Sequence, residues 1–348
     1  MKKLLSILKY ALLLGVSAFL MWYALKELDF EKMWAELRST NYVWLGASLV
    51  MGVLGYVSRA YRWQMQIRPT GYTPSLINTY RAMMVGYVAN LVLPRMGEVV
   101  RCSILKRTDD VPVNTGFGTV IAERFIDMVM LLLAIGITFL VEFDRMRDFF
   151  LGLFSDKYTN LEQGLSSFYW LFWVLLGSVV VTIVVVLRFL SRLQKNAFFQ
   201  KAVGFVKGML QGVFSVAKIE QQGAFWGHTV FVWVMYYAMS LVVFYAVPAT
   251  SGLSWGAALS VLVVGSLGMA APVQGGVGVY HLLVQATLLL YGVPKEGGMA
   301  YALLAHTSQT LLVVLMGVLS FIASMLQRPK AGKPKPAVVN TSVHELKR

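Results

Sequence analysis

The sequence predicts an all-α polytopic membrane protein: two inverted-topology units, each with a broken or re-entrant helix hairpin, plus an N-terminal span and connecting helices. Three observations predict it. The 348-residue chain is 57% hydrophobic and 14% charged, with a mean hydropathy of +0.64, whereas soluble domains carry about 25% charged residues. Several apolar runs are about 20 residues long, which matches the hydrocarbon thickness of a bilayer. Two further apolar stretches, each broken by proline and glycine, recur at matching places along the chain.

The uninterrupted spans come first. They are expected at Leu4–Leu25, Tyr42–Tyr61, Gly118–Val141, Tyr169–Leu190, Gly223–Val247 and Met299–Leu326. The apolar run after Met1-Lys2-Lys3 is long for a secretion signal and lacks a small-residue cleavage pattern before Lys26-Glu27, so it is read as a retained helix. Lys9 is close enough to its end to snorkel into the headgroups.

Charge in the connections sets the orientation. Lys26–Asn41 holds three Lys/Arg and four acids, and Val141–Ser167 holds three and five. Arg59–Gly116 holds eight and three, and Arg188–Gln222 and Gln327–Arg348 hold six and one each. Basic loops stay in the cytoplasm, so both termini are expected inside, in a bacterial inner membrane. The net charge of +14 is thereby explained without nucleic acid. A single cysteine, Cys102, excludes an internal disulfide and a Cys-rich metal site.

The interrupted stretches follow. Ile77 to Arg107 begins and ends on the basic side, is broken by Pro94 and Gly97, and carries Arg81, Arg95, Glu98 and Arg101. Leu253 to Val293 begins and ends on the other side and is broken by Pro272, Gly275, Gly276 and Gly278. Irregular backbone at membrane depth is tolerated only where protein or a water-filled cavity satisfies its polar groups. Both stretches are therefore read as hairpins lining a cavity. Pro94-Arg95-Met96-Gly97 in one parallels Pro272-Val273-Gln274-Gly275 in the other, and each hairpin lies between two long spans. Paired interruptions in halves of opposite topology point to a substrate site. Residues 42–141 form the first expected unit and 223–326 the second, within one transmembrane domain over 1–328. Residues 191–222 repeat Phe199, Val203, Val206, Leu210 and Val213 at helical spacing. That suits a cytoplasmic interfacial helix or a plain linker helix. Residues 329–348 read as a disordered basic tail.

Charges inside apolar spans cost about 3 kcal/mol each on insertion scales, so they mark a function or a partner. Glu123, Arg124 and Asp127 stand together at helical spacing. They form either a headgroup-level cluster or a network with Glu98, Arg95 or Arg101. Arginine suits phosphate because its planar fork donates two parallel hydrogen bonds, and freed amides around Gly97, Gly275, Gly276 and Gly278 add donors. Lys106 and Arg107 are assigned to the positive-inside bias. Between Gln221 and Pro294 there is no Asp, Glu, Lys or Arg. His228, His281 and His306 have no metal-site spacing and read as packing donors, with His281, three residues past Gly278, the one placed to line the cavity. No nucleotide loop, zinc-protease motif or nucleophile elbow occurs, so neither a cofactor nor an enzymatic step is expected.

The run Asn90-Leu91-Val92-Leu93-Pro94-Arg95-Met96-Gly97-Glu98-Val99-Val100-Arg101, with Leu105-Lys106-Arg107 and Glu123-Arg124-Phe125-Ile126-Asp127, resembles the lysylphosphatidylglycerol synthase transmembrane-region family, also called flippase-like. Ala271-Pro272-Val273-Gln274-Gly275-Gly276-Val277-Gly278-Val279 is similar to that family's second signature. The resemblance, from Tyr42 to Leu326, implies two inverted broken-helix units and lipid movement between leaflets. Such domains are elsewhere fused to an aminoacyl-transferase half, which is expected to be absent here because only about twenty residues follow the last expected span. The leading expectation is a lipid flippase with Arg81, Arg95, Arg101, Gly275, Gly276, Gly278 and His281 at the substrate. Asn90, Pro94, Gly97, Glu98, Glu123, Arg124, Asp127 and Pro272 would hold the hairpins. The alternatives are a secondary transporter of a small anionic or polar solute, with proton coupling through Glu98, Glu123 or Asp127, and a non-transporting partner of a lipid-modifying transferase. Membrane lipids with anionic headgroups are the expected partners, a separate transferase is a further one, and self-association stays open.

Overall fold

The structure, a computed structural model, describes residues 2–93, 95–143, 214–271 and 273–329. The expected span Tyr169–Leu190, residues 191–213 of the interfacial helix, the tail beyond residue 329, and both prolines of the paired motif, Pro94 and Pro272, lie outside these.

The described residues fold into helices and short 3-10 turns, with no strand among them. In chain order the helices are α1 (Lys2–Leu25), α2 (Phe30–Arg38), α3 (Tyr42–Ile67), α4 (Leu76–Val92), α5 (Gly97–Asp109) and α6 (Val113–Val141). After the gap come α7 (Gln222–Phe244), α8 (Trp255–Ala270), α9 (Val279–Leu290) and α10 (Lys295–Leu326). Among the described residues four segments are long and apolar enough to cross a bilayer: Tyr42–Thr70, Val113–Val141, Gln222–Phe244 and Lys295–Leu326. They coincide with four of the expected spans. Three of them run past the expected ends. α3 continues to Ile67, α6 starts at Val113 and α10 starts at Lys295. Hydropathy reports where apolar character stops; the helical hydrogen-bond ladder continues wherever charged side chains find partners.

Both interrupted stretches are hairpins of short helices. α4 and α5 have 17 and 13 residues, and α8 and α9 have 16 and 12. At 1.5 Å per residue each is at most about 26 Å long, less than the roughly 30 Å hydrocarbon layer. Each chain run is thus a long helix, two short ones and a long one. The contacts pair off in the same way. α4 lies on α5 as α8 lies on α9, α5 on α6 as α9 on α10, and α4 reaches α10 as α8 reaches α6. α3 and α7 pack along each other at the centre.

Glycine permits the tight arms of the first hairpin. A Cβ on Gly97 would fall 2.1 Å from the Gly86 carbonyl oxygen, and one on Gly86 would fall 2.8 Å from that of Gly97. The α4 and α5 backbones therefore touch, in the small-residue manner of membrane helix pairs. Asn90 Oδ1 accepts from the Gly97 amide at 2.7 Å, capping an otherwise bare N-terminus. The two turns differ in detail. The first includes Arg95 at φ 68, whereas the second is a 3-10 turn, Gln274–Gly276, with Gly275, Gly276 and Gly278 all at positive φ. The tips meet: a Cβ on Gly275 would fall 2.9 Å from Leu91 Cδ2 near the end of α4.

Candidate functional site

α3 carries Arg59 and Arg62 three residues apart, and α6 carries Thr119, Glu123 and Asp127 four apart. Spacings of three and four bring side chains onto one helix face, and these two faces meet. Trp63 Nε1 donates to Thr119 Oγ1 at 3.0 Å. Arg59 Nε lies 2.7 Å from Glu123 Oε1 and its Nη2 lies 2.6 Å from Asp127 Oδ2. Arg62 Nη2 reaches Glu123 Oε1 at 3.3 Å and Asp127 Oδ1 at 2.7 Å. α5 adds a third guanidinium: Arg101 Nη1 lies 2.9 Å from Glu123 Oε2, with the group over the Trp63 ring at 4.6 Å. α7 closes the cluster as Arg59 Nη1 donates to the Tyr236 hydroxyl at 2.8 Å. Nearby, Ser58 Oγ and His228 Nδ1 are 2.8 Å apart.

Arg62 and Glu123 are fully buried, and Arg59 and Arg101 are 8% and 3% exposed. Glu123 is ten residues into α6, about 15 Å along its axis, and Arg59 is about 12 Å from the end of α3. The cluster is therefore well inside both helices. Three guanidinium groups face two carboxylates, which leaves one positive charge unmatched within it. Arg62 Nε, Arg62 Nη1 and Arg101 Nη2 are buried and have no hydrogen-bond partner among the described residues; the same holds for the Tyr80 and Tyr87 hydroxyls. Tyr87 lies beside Arg59, its ring 5.9 Å from the guanidinium carbon. Desolvating a cation without full pairing is expensive, so this arrangement favours a small anion with several acceptor oxygens.

The other expected site residues fall in two places. Arg124 pairs with Glu98 at 2.7 Å on an exposed flank of the same α5–α6 contact. Arg95 is exposed at the first tip and Arg81 is half-buried on α4; neither makes an ion pair among the described residues. In the second hairpin, His281 is 1% exposed and both its ring nitrogens lack a partner among the described residues. Its ring stands 4.9 Å from that of His306, whose Nε2 is 2.7 Å from the Gly275 carbonyl oxygen. Arg107 has a specific contact. Its Nη1 donates to Ser324 O at 3.0 Å and its Nη2 to Met325 O at 3.1 Å, capping the C-terminus of α10. A general charge bias is therefore not the whole account of Arg107.

Sequence reasoning missed Arg59 and Arg62. They fell at the end of an apolar window and were counted with the basic loop. The available signal was their spacing of three in an uninterrupted helical run, set against Glu123 and Asp127 at a spacing of four.

Helices of crossing length whose Phe125, Leu132, Leu133, Leu311, Leu315 and Leu319 side chains are exposed make this a multi-pass membrane protein. Comparison with known proteins narrows the class. A family model described as lysylphosphatidylglycerol synthase TM region matches residues 7–317, and the chain belongs to that family. The chain is also similar to the UPF0104 membrane protein MJ1595 of Methanocaldococcus jannaschii, at 25% identity over 130 residues. That match takes in 36% of this chain and 39% of the archaeal protein. No solved structure matches.

Proposed function

We propose that this protein moves a phosphate-bearing lipid between the leaflets of a bacterial inner membrane, with both termini in the cytoplasm and no enzymatic step of its own. In this reading the two long–short–short–long runs are inverted copies, and their hairpin tips form the divide between the two sides. The carrying observation is the unmatched positive charge of the Arg59–Arg62–Arg101 cluster, with its three buried donors that lack partners among the described residues. A phosphodiester brings one negative charge and several acceptor oxygens, and guanidinium groups bind it with charge-assisted hydrogen bonds. Arg95, exposed at the first tip, and Arg81 supply the approach, while acyl chains stay against the apolar outer faces of α6 and α10. Glu98, Glu123, Arg124 and Asp127 hold α5 against α3 and α6. Gly97, Gly275, Gly276 and Gly278 let backbone come close.

The lipid reading is favoured over a free solute because helices beside the cluster present apolar side chains outward, Phe125 and Met128 of α6 among them. The test is transbilayer movement of fluorescent phosphatidylglycerol in liposomes containing the purified chain. Movement above protein-free liposomes, reduced about tenfold or more by Arg62→Gln in protein that still folds, supports the reading. Movement equal to that of protein-free liposomes contradicts it.

A further inference from the structure

The second hairpin contains a group that lipid binding does not use. His281 on α9 and His306 on α10 are 1% and 8% exposed, and their rings are 4.9 Å apart. Tyr280 stacks beside both, at 5.7 and 5.1 Å. The Gly275 carbonyl can only accept, so the neutral His306 ring must carry its hydrogen on Nε2 and leave Nδ1 as a bare acceptor. His281 has one N–H and one lone pair, neither with a partner among the described residues. A buried donor and a buried acceptor left unmet are each costly, because neither regains the hydrogen bond it made to water. Burying two imidazoles edge to face with these groups unmet is unfavourable unless the pair has a use.

Among the described residues no fixed charge is placed against the pair. No Asp, Glu, Lys or Arg occurs from 222 to 294 or from 297 to 327, a stretch that takes in α7, α8, α9 and nearly all of α10. The titratable groups toward the pair are Tyr280 from α9 and, on α10, Tyr301, whose hydroxyl donates to Ser240 O at 2.8 Å. α1 meets the second tip through Ser17, Leu20 and Met21, and α4 meets it through Leu91, none of them titratable. Arg95 is beyond the end of α4 and exposed. The three carboxylates of the first hairpin's arginine cluster and its flank are already engaged. Glu123 and Asp127 each face at least two arginines, and Glu98 faces Arg124. A proton arriving at any of them would have to displace an arginine. At the histidine pair it displaces nothing.

We propose that the His281–His306 pair is a proton-binding site, and that one proton bound there accompanies each lipid anion across the membrane. This rests on the lipid-transport reading and adds its coupling ion. The added proton bridges the two imidazoles as an N–H···N hydrogen bond, entering from one side of the membrane and leaving to the other, while a second is opposed by like-charge repulsion. His306 of the pair holds the Gly275 carbonyl, and Gly275 abuts Leu91 of the first hairpin. Loading the proton therefore acts where the two hairpins meet. One proton with one phosphodiester is electroneutral, so a pH gradient drives the movement and a membrane potential alone does not.

The experiment uses the full chain in liposomes of phosphatidylcholine with fluorescent phosphatidylglycerol, together with histidine-selective nitrogen NMR of the same samples. Expected is a several-fold change in lipid movement under an imposed pH gradient and none under a potassium–valinomycin potential. In His281→Gln and His306→Gln the gradient response is lost, and circular dichroism with the melting temperature shows that each variant folds. The spectra should show one proton taken up by the pair as the pH falls from about 8 to about 4, absent from either variant. Lipid movement indifferent to the pH gradient overturns coupling. Should lipid movement itself be missing, the lipid reading fails, and the spectra then decide for the proton site alone: two imidazoles that stay neutral across that range overturn it.

Discussion

Arg101 Nη1 lies 2.9 Å from Glu123 Oε2, and this pair ties the second arm of the first hairpin to a bilayer-length helix. Glu123 is simultaneously the partner of Arg59 and Arg62, so one carboxylate joins α3, α5 and α6. Removing it would leave Arg59 and Arg62 facing Asp127 alone and Arg101 with no carboxylate partner among the described residues. Breaking a buried ion pair from one side costs about 3–5 kcal/mol. Glu123→Gln should therefore lower thermal stability in detergent markedly, while Arg124→Gln, on the exposed flank, should change it by less than about 1 kcal/mol. Equal melting shifts for the two would show that burial does not govern these pairs.

Backbone contact between Gly86 and Gly97 leaves no room for a methyl group. Gly97→Ala should force the α4 and α5 arms apart at a cost of about 1–3 kcal/mol or more. Gly46, whose added Cβ meets nothing within 4 Å, should accept alanine without loss. Limited proteolysis of the two variants distinguishes them, with faster cutting in the hairpin expected for Gly97→Ala alone.

Arg107 caps the carbonyls at the end of α10. A cation there also complements the helix dipole, worth about 0.3–1 kcal/mol when exposed. Arg107→Ala should destabilise the protein by roughly 1 kcal/mol, and Arg107→Lys should recover only part of this because a single ammonium cannot reach both carbonyls in the same way. A melting temperature unchanged in Arg107→Ala would show the contact to be incidental.

The architecture was legible because it follows from hydropathy and from breaks in it. Pro94, Gly97, Pro272 and the glycines at 275, 276 and 278 marked two interruptions, and the short paired helices α4–α5 and α8–α9 occupy those places. The cost of charge in apolar helices left two readings of Glu123, Arg124 and Asp127 open, a headgroup-level cluster or a network with the first hairpin. The contacts with Arg101 and Glu98 are those of the network. Arg59 and Arg62 escaped because a hydropathy window treats the first charge after an apolar run as the start of a loop. Their role depends on a face of α6 more than sixty residues away, and one-dimensional charge counts do not carry that pairing. The His281–His306 contact was equally hidden: each imidazole alone resembles a packing donor, and only the return of α10 across α9 makes them a pair.

Arg95 is exposed at a turn and makes no ion pair among the described residues. Arg95→Ala should leave stability within about 0.5 kcal/mol of the original and slow the movement of anionic lipid more than that of phosphatidylcholine. Equal slowing of both lipids would assign Arg95 to the turn's conformation in place of headgroup recruitment.

The central claim is that the buried arginine excess holds a lipid phosphate. Native mass spectrometry, counting phosphatidylglycerol molecules that stay on the protein after detergent removal, measures it most directly. A charged hydrogen bond contributes about 1.5–3 kcal/mol, so the account predicts one tightly held anionic lipid whose retention falls about tenfold or more in Arg62→Gln and in Arg101→Gln. Retention of that lipid at the original level in both variants would contradict it.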